Sequence, residues 1–295
     1  MGASGILTEC LHIEKSGRGD ASHFVLCNGN KIRYIIDLHG GKSILSRNIK
    51  TYSRKLHVLM KLMDILPMTT FRIGKLGYFA KVRPCEVVQR NIKKTKNEHW
   101  NVIVGTYDEK QKIVFQCFSD QRKTKYVKVG NKNTEEEMQN EIAYLKTDHS
   151  DCGFIVPKLV GYEFRGDFCP FIIQVTEEFS GDKVEPELTE DIVNLYQSIC
   201  NKDSTFSHGD FAPWNIRKDG EKYILFDWEH CGFRTEGYDL AYFTVVSKMA
   251  LEHKTVEQAL DEGIVEIRRY LPDFSIDKED FMNEFCHTVK ELIKK

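Results

Sequence analysis

Three short runs of β-branched and aromatic residues, followed at once by a capped helical pattern, constrain the fold of this chain most. The runs are NVIVGTY, KIVFQCF and KYVKV, at 101–107, 112–118 and 125–129. Turn residues separate them, which is typical of an antiparallel meander. Thr134 and Glu137 have the spacing of a capping box, so a helix is predicted over 133–147. One more strand-like run, 170–179, precedes a mostly helical remainder. This order predicts an α+β fold with two lobes.

The first 97 residues show a different pattern. Asn28 and Gly29 lie between two β-rich runs in residues 22–37, which indicates a tight hairpin. A helical stripe then repeats every seven residues until Pro67 ends it. Its apolar positions are Leu45, Ile49, Tyr52, Leu56, Leu59, Met63 and Leu66. The Lys/Arg-rich segment 81–97 is interpreted as a polar connector.

These patterns divide the chain into an N-terminal extension at 1–97, an N-lobe at 98–180 and a helical C-lobe at 181–295. The basic residues on the other faces of helix 44–66 allow it to associate with a second copy or to contact acidic lipid head groups. Packing against its own hairpin is the simpler alternative.

Composition excludes several classes of function. The net charge is −2, which argues against a general nucleic-acid binder. No apolar run approaches the ~20 residues needed to span a bilayer. The nine cysteines contain no C-x-x-C pair, so neither a zinc cage nor a disulfide framework is indicated. Reduced thiols in the cytoplasm are therefore expected.

The stretch HGDFAPWN contains the main candidates for catalytic and metal-binding residues. It contains Asp210 and Asn215. Asp227 lies twelve residues after Asn215, directly after the predicted strand KYILF at 222–226. Carboxylate and amide oxygens are the ligands that Mg²⁺ prefers when it is held with phosphates. In this interpretation Asn215 and Asp227 bind Mg²⁺, and Asp210 accepts the hydrogen of an attacking hydroxyl. His208 would support the loop. The alternative is that Asp210 and Asn215 are ordinary turn residues.

The pattern H-x-D-x-x-x-x-N, followed by an aspartate at the end of a strand, resembles the core of the protein-kinase-like superfamily. With Gly209 and the DWE at 227–229, it is most similar to the aminoglycoside phosphotransferase and choline kinase branch. That resemblance implies a small antiparallel N-lobe with one helix, a helical C-lobe, and ATP with Mg²⁺ as cofactors. It also implies that Asp239, in GYDLAYF, braces the catalytic loop. The alternative for Asp239 is a helix N-cap.

The same resemblance implies a strand lysine that holds nucleotide phosphates and pairs with a helical glutamate. Lys128, in KYVKV, and Glu141, on the apolar stripe of the predicted helix, are the candidates. The turn between the first two strands, GTYDEKQK, departs from the family because Gly105 is its single glycine. Asp108 and Glu109 at its tip would repel a triphosphate unless they point away.

The acceptor is expected to be a small molecule with a hydroxyl group, such as a sugar, an amino alcohol or an aminoglycoside-like compound. Trp214 and Glu229 are the candidates for contacting it. Further aromatic residues that could line the pocket, or simply fill the core, are Trp228, Phe233, Tyr238 and Tyr242. A pseudokinase-like interaction protein is the alternative from another class. A protein kinase is disfavoured because no A-P-E segment follows Asp227.

Overall fold

The computed structural model describes residues 5–39, 77–119, 122–164, 172–177, 181–200 and 203–288. The heptad helix predicted at 44–66 lies outside these ranges. The chain forms two compact units. The first comprises Met1–Met138 with Lys158–Phe179, and the second comprises Gln139–Pro157 with Ser180–Lys295.

The first unit is built on an antiparallel sheet of nine described strands, in the order β1-β4-β2-β3-β5-β6-β7-β9-β8. Their bounds are β1 Leu11–Lys15, β2 His23–Asn28, β3 Lys31–Asp37, β4 Gly77–Pro84, β5 His99–Val104, β6 Ile113–Ser119, β7 Arg122–Gly130, β8 Leu159–Phe164 and β9 Ile172–Glu177. The predicted meander is confirmed as β5–β6–β7. The predicted hairpin is confirmed as β2–β3, with Gly29 at a φ of 58° in its turn.

Two helices contribute to the core on one face of this sheet, α1 at Gly5–Cys10 and α2 at Glu86–Lys94. Alternate residues of the strands point towards them, because side chains of a strand alternate between its faces. The polar connector predicted at 81–97 is wrong, since this segment forms the second half of β4 and all of α2. Val88 and Ile92, one turn apart, bury the apolar side of α2, while Arg90, Lys93 and Lys94 are exposed.

Strands from residues 1–97 pair within the same sheet as the strands of 98–180. The α+β content is confirmed, with an antiparallel sheet in the first unit and mostly helix in the second. The division at 1–97, 98–180 and 181–295 and the kinase-like arrangement of lobes stay predictions.

The helix predicted over 133–147 is confirmed as α3, Glu135–Leu145, and the boundary between the units falls inside it. Its predicted capping box is wrong. The Thr134 hydroxyl donates to the Asn131 carbonyl at 2.8 Å. The carboxylate of Glu137 instead accepts hydrogen bonds from Lys110 and Lys112. A single turn of 3-10 helix ahead of α3 accounts for this difference.

The second unit is mostly helical. Besides the end of α3 it contains α4 Glu190–Ile199, α5 Tyr238–Glu252, α6 Val256–Ile267 and α7 Lys278–Thr288. Its short strands are β10 Asp182–Lys183, β11 Phe206–Ser207, β12 Ile216–Asp219, β13 Lys222–Leu225 and β14 Gly232–Phe233. β12 and β13 form a hairpin that β10 extends, and β11 pairs with β14. Within the described ranges, no helix has the length and apolar character needed to cross a membrane.

Candidate active site

The HGDFAPWN stretch forms a compact loop between β11 and β12 in the second unit. Successive turns fold it, because the amide of Ala212 donates to the Asp210 carbonyl and that of Asn215 donates to Ala212. The amide of Phe226 donates to the Asn215 carbonyl at 3.2 Å. This bond fixes the loop against the end of the β12–β13 hairpin, where Asp227 follows.

Gly209 adopts a backbone conformation that only glycine accommodates here. Its φ is 81°, in the left-handed region. A Cβ atom at this position would lie 2.0 Å from the His230 carbonyl oxygen, well inside contact distance. The packing of the loop therefore requires glycine at position 209.

Asp239, in the first turn of α5, accepts hydrogen bonds from the start of the loop. Its Oδ1 receives the Ser207 hydroxyl at 2.7 Å and the Gly209 amide at 3.1 Å, and its Oδ2 receives the His208 amide at 2.7 Å. Burial raises the pKa of this carboxyl, while these hydrogen bonds act to lower it. The N-cap alternative for Asp239 is wrong, since Gly237 holds that position.

His208 is fully buried behind the loop. Its Nδ1 accepts the Asp210 amide at 3.3 Å, so its Nε2–H donates to the Phe226 carbonyl at 3.2 Å. This pattern requires the neutral imidazole with its proton on Nε2. The ring also packs against Trp228, with the ring centres 4.3 Å apart. His208 thus links the loop to the segment that carries Asp227.

The half-buried carboxylate of Asp210 is oriented through both oxygens. Tyr242 donates to Oδ1 at 2.7 Å, and the side-chain amide of Asn215 donates to Oδ2 at 2.7 Å. Burial raises the pKa of Asp210 to about 6, and the nearby charge of Asp227 acts in the same direction. The hydrogen bonds from Tyr242 and Asn215 oppose that rise. A carboxyl with this pKa can gain or lose a proton close to neutral pH.

Tyr242 was not singled out as a partner of Asp210 from the sequence. It lies three residues after Asp239 on α5, so both side chains share one face of the helix. Asp239 contacts the backbone at the start of the loop, and Tyr242 contacts the carboxylate of Asp210. The i, i+3 spacing in YDLAY is the signal that could have indicated this arrangement.

Asp227 lies two residues beyond the end of β13 and has a φ of 74° and a ψ of 54°, which is uncommon for a residue other than glycine. Strain of this kind concentrates at functional sites. Oxygens of Asp227, Glu141 and Glu229 lie within 4.8 Å of one another. Like charges at this separation repel, and a divalent cation with a preference for oxygen ligands would offset that repulsion. The donor set therefore fits Mg²⁺.

Asn140 holds the second half of α3 against the segment that carries Glu229. Its side-chain amide donates to the carbonyls of Glu229 and Cys231, at 3.0 and 2.8 Å. The next residue is the buried Glu141, which explains how a helical carboxylate reaches the neighbourhood of Asp227. Sequence reasoning had identified neither Asn140 nor a group of three acidic residues.

The predicted roles of Lys128 and Trp214 are not tested by the structure, and the other aromatic residues differ in burial. Lys128 is half-buried on β7 in the first unit, and its predicted pairing with Glu141 stays a prediction. Trp214 is half-buried in the 3-10 turn of the loop, and its contact with an acceptor also stays a prediction. Among the other aromatic residues, Trp228, Tyr238 and Tyr242 are buried in the core, and Phe233 is 73% exposed.

Comparisons with known proteins find similarity in structure alone. No family model and no curated protein matches the sequence. The amicoumacin kinase hAmiN in complex with AMP-PNP, Ca²⁺ and Ami is 13% identical, with a TM-score of 0.45 over 68% of this chain and 84% of that chain. The spectinomycin phosphotransferase APH(9)-Ia in complex with ADP and spectinomycin is 11% identical, with a TM-score of 0.44 over 70% of this chain and 86% of that chain. Both likenesses are distant, and neither assigns a family or a function to this chain.

Proposed function

We propose that this chain is a phosphotransferase that transfers the terminal phosphoryl group of ATP to a hydroxyl of a small molecule. The observation that carries the proposal is the pair of acidic features in the second unit. One is the single carboxylate of Asp210, oriented through both oxygens. The other is the group of carboxylates around Asp227, which interacts electrostatically with Asp210. Phosphoryl transfer requires such positioning and charge compensation and little covalent help from the protein.

Asp210 acts as the base in this proposal. With a pKa of about 6 it is mostly ionised at pH 7, and it still binds a proton well enough to take one from an alcohol during the reaction. Tyr242 and Asn215 hold the carboxylate in one orientation. Because Asp239 fixes the backbone on the N-terminal side of Asp210, the base is positioned before a substrate binds.

The metal is held by Asp227 together with Glu141 and Glu229, and Asn215 is the further ligand predicted from the motif. When bound, Mg²⁺ neutralises charge on the nucleotide phosphates. Glu141 and Glu229 extend the ligand set beyond the Asn215 and Asp227 of the sequence interpretation, which is supported by the short separation of their oxygens. Lys128 is proposed to contact the nucleotide phosphates. The acceptor class comprises sugars, amino alcohols and aminoglycoside-like compounds.

A mass-spectrometric screen for phosphate gain tests the reaction. The purified chain is incubated with MgATP and a panel of sugars, amino alcohols and aminoglycosides, in parallel with its Asp210→Asn variant. We expect one class to gain phosphate and the variant to lose at least ~10²-fold in rate, since general base catalysis contributes about that much or more. Asp203→Asn, an exposed aspartate of the preceding turn, is the control and should keep full activity. An Asp210→Asn variant with undiminished turnover would refute the assignment.

Thermal unfolding with nucleotide tests the metal site separately. A real site should gain about 2.7 kcal/mol of stability at a ligand concentration one hundredfold above Kd. Asp227→Asn should lose most of the gain from MgATP and little of the gain from ATP without metal, because asparagine tolerates the same left-handed backbone but removes the charge. Asp219→Asn, on an exposed strand end, is the matched control. Absence of any shift at millimolar MgATP would favour the interaction protein instead.

A further inference from the structure

Two cysteines of the first unit lie opposite each other where α1 ends and α2 begins. The register of β1 and β4 pairs Leu11 with Pro84, so Cys10 and Cys85 form the next opposed pair. The Cys85 amide donates to the Cys10 carbonyl at 2.7 Å, which continues the ladder by one step. Opposed residues of an antiparallel ladder have Cα atoms about 4.5–5.5 Å apart, which matches the range that a disulfide spans.

The side chain of Cys10 is the largest influence that lowers the pKa of Cys85, which indicates that the two side chains are neighbours. Both residues are reduced in the structure. Cys10 is fully buried in the core beneath the sheet, whereas Cys85 is half-buried. The arrangement therefore places the half-buried Cys85 beside the buried Cys10.

Cys85 has the environment of a reactive thiolate. It is the N-cap residue of α2, a helix of nine residues. The hydrogen bond from Cys10 is the main cause that lowers the pKa of Cys85 to about 6. The amides of Val88 and Val87 act in the same direction, although neither makes a capping hydrogen bond of normal length. Positive charge at a helix N-terminus stabilises a thiolate, and the thiolate is the nucleophilic form.

We propose that Cys85 and Cys10 form a redox pair, in which Cys85 reacts with a hydroperoxide and Cys10 then closes an intramolecular disulfide. In the first step the Cys85 thiolate attacks the terminal peroxide oxygen, the S–O bond forms and the O–O bond breaks. The alkoxide or hydroxide that leaves takes a proton from water. Cys85 is oxidised to a sulfenic acid and the hydroperoxide is reduced. In the second step the sulfur of Cys10 displaces hydroxide from that sulfenic acid. The S–S bond forms, and the thiol proton leaves with the hydroxide as water.

Four other cysteines of the described residues have the opposite environment. Burial raises the pKa of Cys117 to about 12, of Cys231 to about 12 and of Cys200 to about 11. Burial also raises the pKa of Cys27 in the same sheet. These thiols remain protonated at neutral pH and react slowly with peroxides. The pair is therefore the selective target among them.

The disulfide would tie the end of α1 to the start of α2. Both helices contribute to the core on the same face of the sheet, so the bond links two elements that are already packed there. The enclosed stretch of chain is long, and closing a long loop restricts the unfolded state strongly. Oxidation should therefore raise the Tm of the chain by several degrees without altering its secondary structure.

The wild-type chain itself provides the first test. After treatment with one equivalent of hydrogen peroxide at pH 7, peptide mapping should recover Cys10 and Cys85 in one disulfide-linked species, which dithiothreitol reverses. Rates of alkylation by iodoacetamide between pH 5 and 9 should show Cys85 reacting fastest, with a midpoint near pH 6. Recovery of both cysteines as thiols, while other thiols are oxidised, would overturn the proposal.

Two variants and a control distinguish the roles of the sulfurs. In Cys10→Ser the sulfenic acid of Cys85 should persist and be trapped by dimedone, whereas Cys85→Ser should show no fast peroxide reaction. Cys27→Ser, which removes a half-buried thiol of the same sheet, should react as the wild type does. Far-UV circular dichroism checks that each variant is folded. If Cys10→Ser forms no adduct with dimedone, or if Cys85→Ser reacts at the wild-type rate, the proposed order of steps is wrong.

Discussion

The loop at 207–215 was expected to carry the base and a metal ligand, and the turn at 105–112 was expected to lie near phosphate. The two are stabilised in different ways. The loop in the second unit is held by hydrogen bonds of the buried side chains of His208 and Asp239 and by the close packing of Gly209. The turn in the first unit is held by solvent-exposed hydrogen bonds from side chains. Asn131 and Asn133 donate to its Glu109 carbonyl, at 2.9 and 3.0 Å.

The charged residues of the two regions also differ in how they are paired and how deeply they are buried. In the turn, Lys110 and Lys112 pair with Glu137, and Asp108 accepts the amide of Lys110 within the turn itself. In the second unit, Asp210 of the loop is half-buried and Asp239 behind it is buried, and burial raises the pKa of both carboxyls. A buried polar network loses several interactions when one member is removed, whereas a pair near the surface contributes little. The loop should therefore be far more sensitive to substitution than the turn.

The largest expected effect is that of Gly209→Ala. The added Cβ meets the His230 carbonyl at 2.0 Å, and the backbone must also hold a left-handed conformation. We expect a loss on the order of 3 kcal/mol in the free energy of unfolding, measured by urea denaturation. Gly220→Ala is the matched control, because Gly220 has a φ of 60° but open space around its Cβ position. It should lose about 1 kcal/mol from the backbone conformation alone. Equal losses for the two variants would contradict the close packing of the loop.

A smaller effect is expected on the pH dependence of the proposed transfer. Because the base must be unprotonated, the rate should fall as the pH drops below the Asp210 pKa of about 6. Tyr242→Phe removes a hydrogen bond that favours the ionised carboxylate, so this acidic limb should move to higher pH by roughly one unit. Tyr238→Phe, on the same helix, removes a hydroxyl directed at Thr288 and should leave the limb unchanged. A pH–rate profile of each variant checks this, and a downward shift in Tyr242→Phe would be the wrong sign.

The smallest effect is expected in the turn. Glu137→Gln removes the charge that pairs with Lys110 and Lys112, of which Lys112 is largely shielded from solvent. We expect a loss of about 0.5–1 kcal/mol in the free energy of unfolding at low salt, decreasing as salt is added. Glu136→Gln, exposed on the same helix, should change stability by less. A loss in Glu137→Gln that matches that of Gly209→Ala would remove the distinction between the two regions.

Local sequence patterns predicted the structural elements that are determined by residues close together in the chain. The β5–β7 meander, the turn at Gly29 and the existence of α3 follow from residue alternation, turn chemistry and helical periodicity. Helix α2 was missed because Val88 and Ile92 are its main buried apolar residues in a segment rich in lysine. Such a short stripe is hard to distinguish from a polar connector without the sheet on which it packs.

Part of the candidate site could be predicted from the sequence, and part could not. The motif indicated Asp210, Asn215 and Asp227, because their types and order are visible in the sequence. The contact of Tyr242 with Asp210 and the approach of Glu141 to Asp227 and Glu229 depend on how distant segments pack. Sequence spacing does not encode these distances, except for the shared helical face of Asp239 and Tyr242.

The position of Trp228 gives this site a spectroscopic use. Its indole is completely buried, lies 4.0 Å from the ring of Tyr144 between centres, and directly follows Asp227 in the chain. Indole emission responds to the polarity and rigidity of its surroundings. A ligand that displaces the backbone at Asp227 should therefore change the fluorescence of Trp228, which would report binding without any added label.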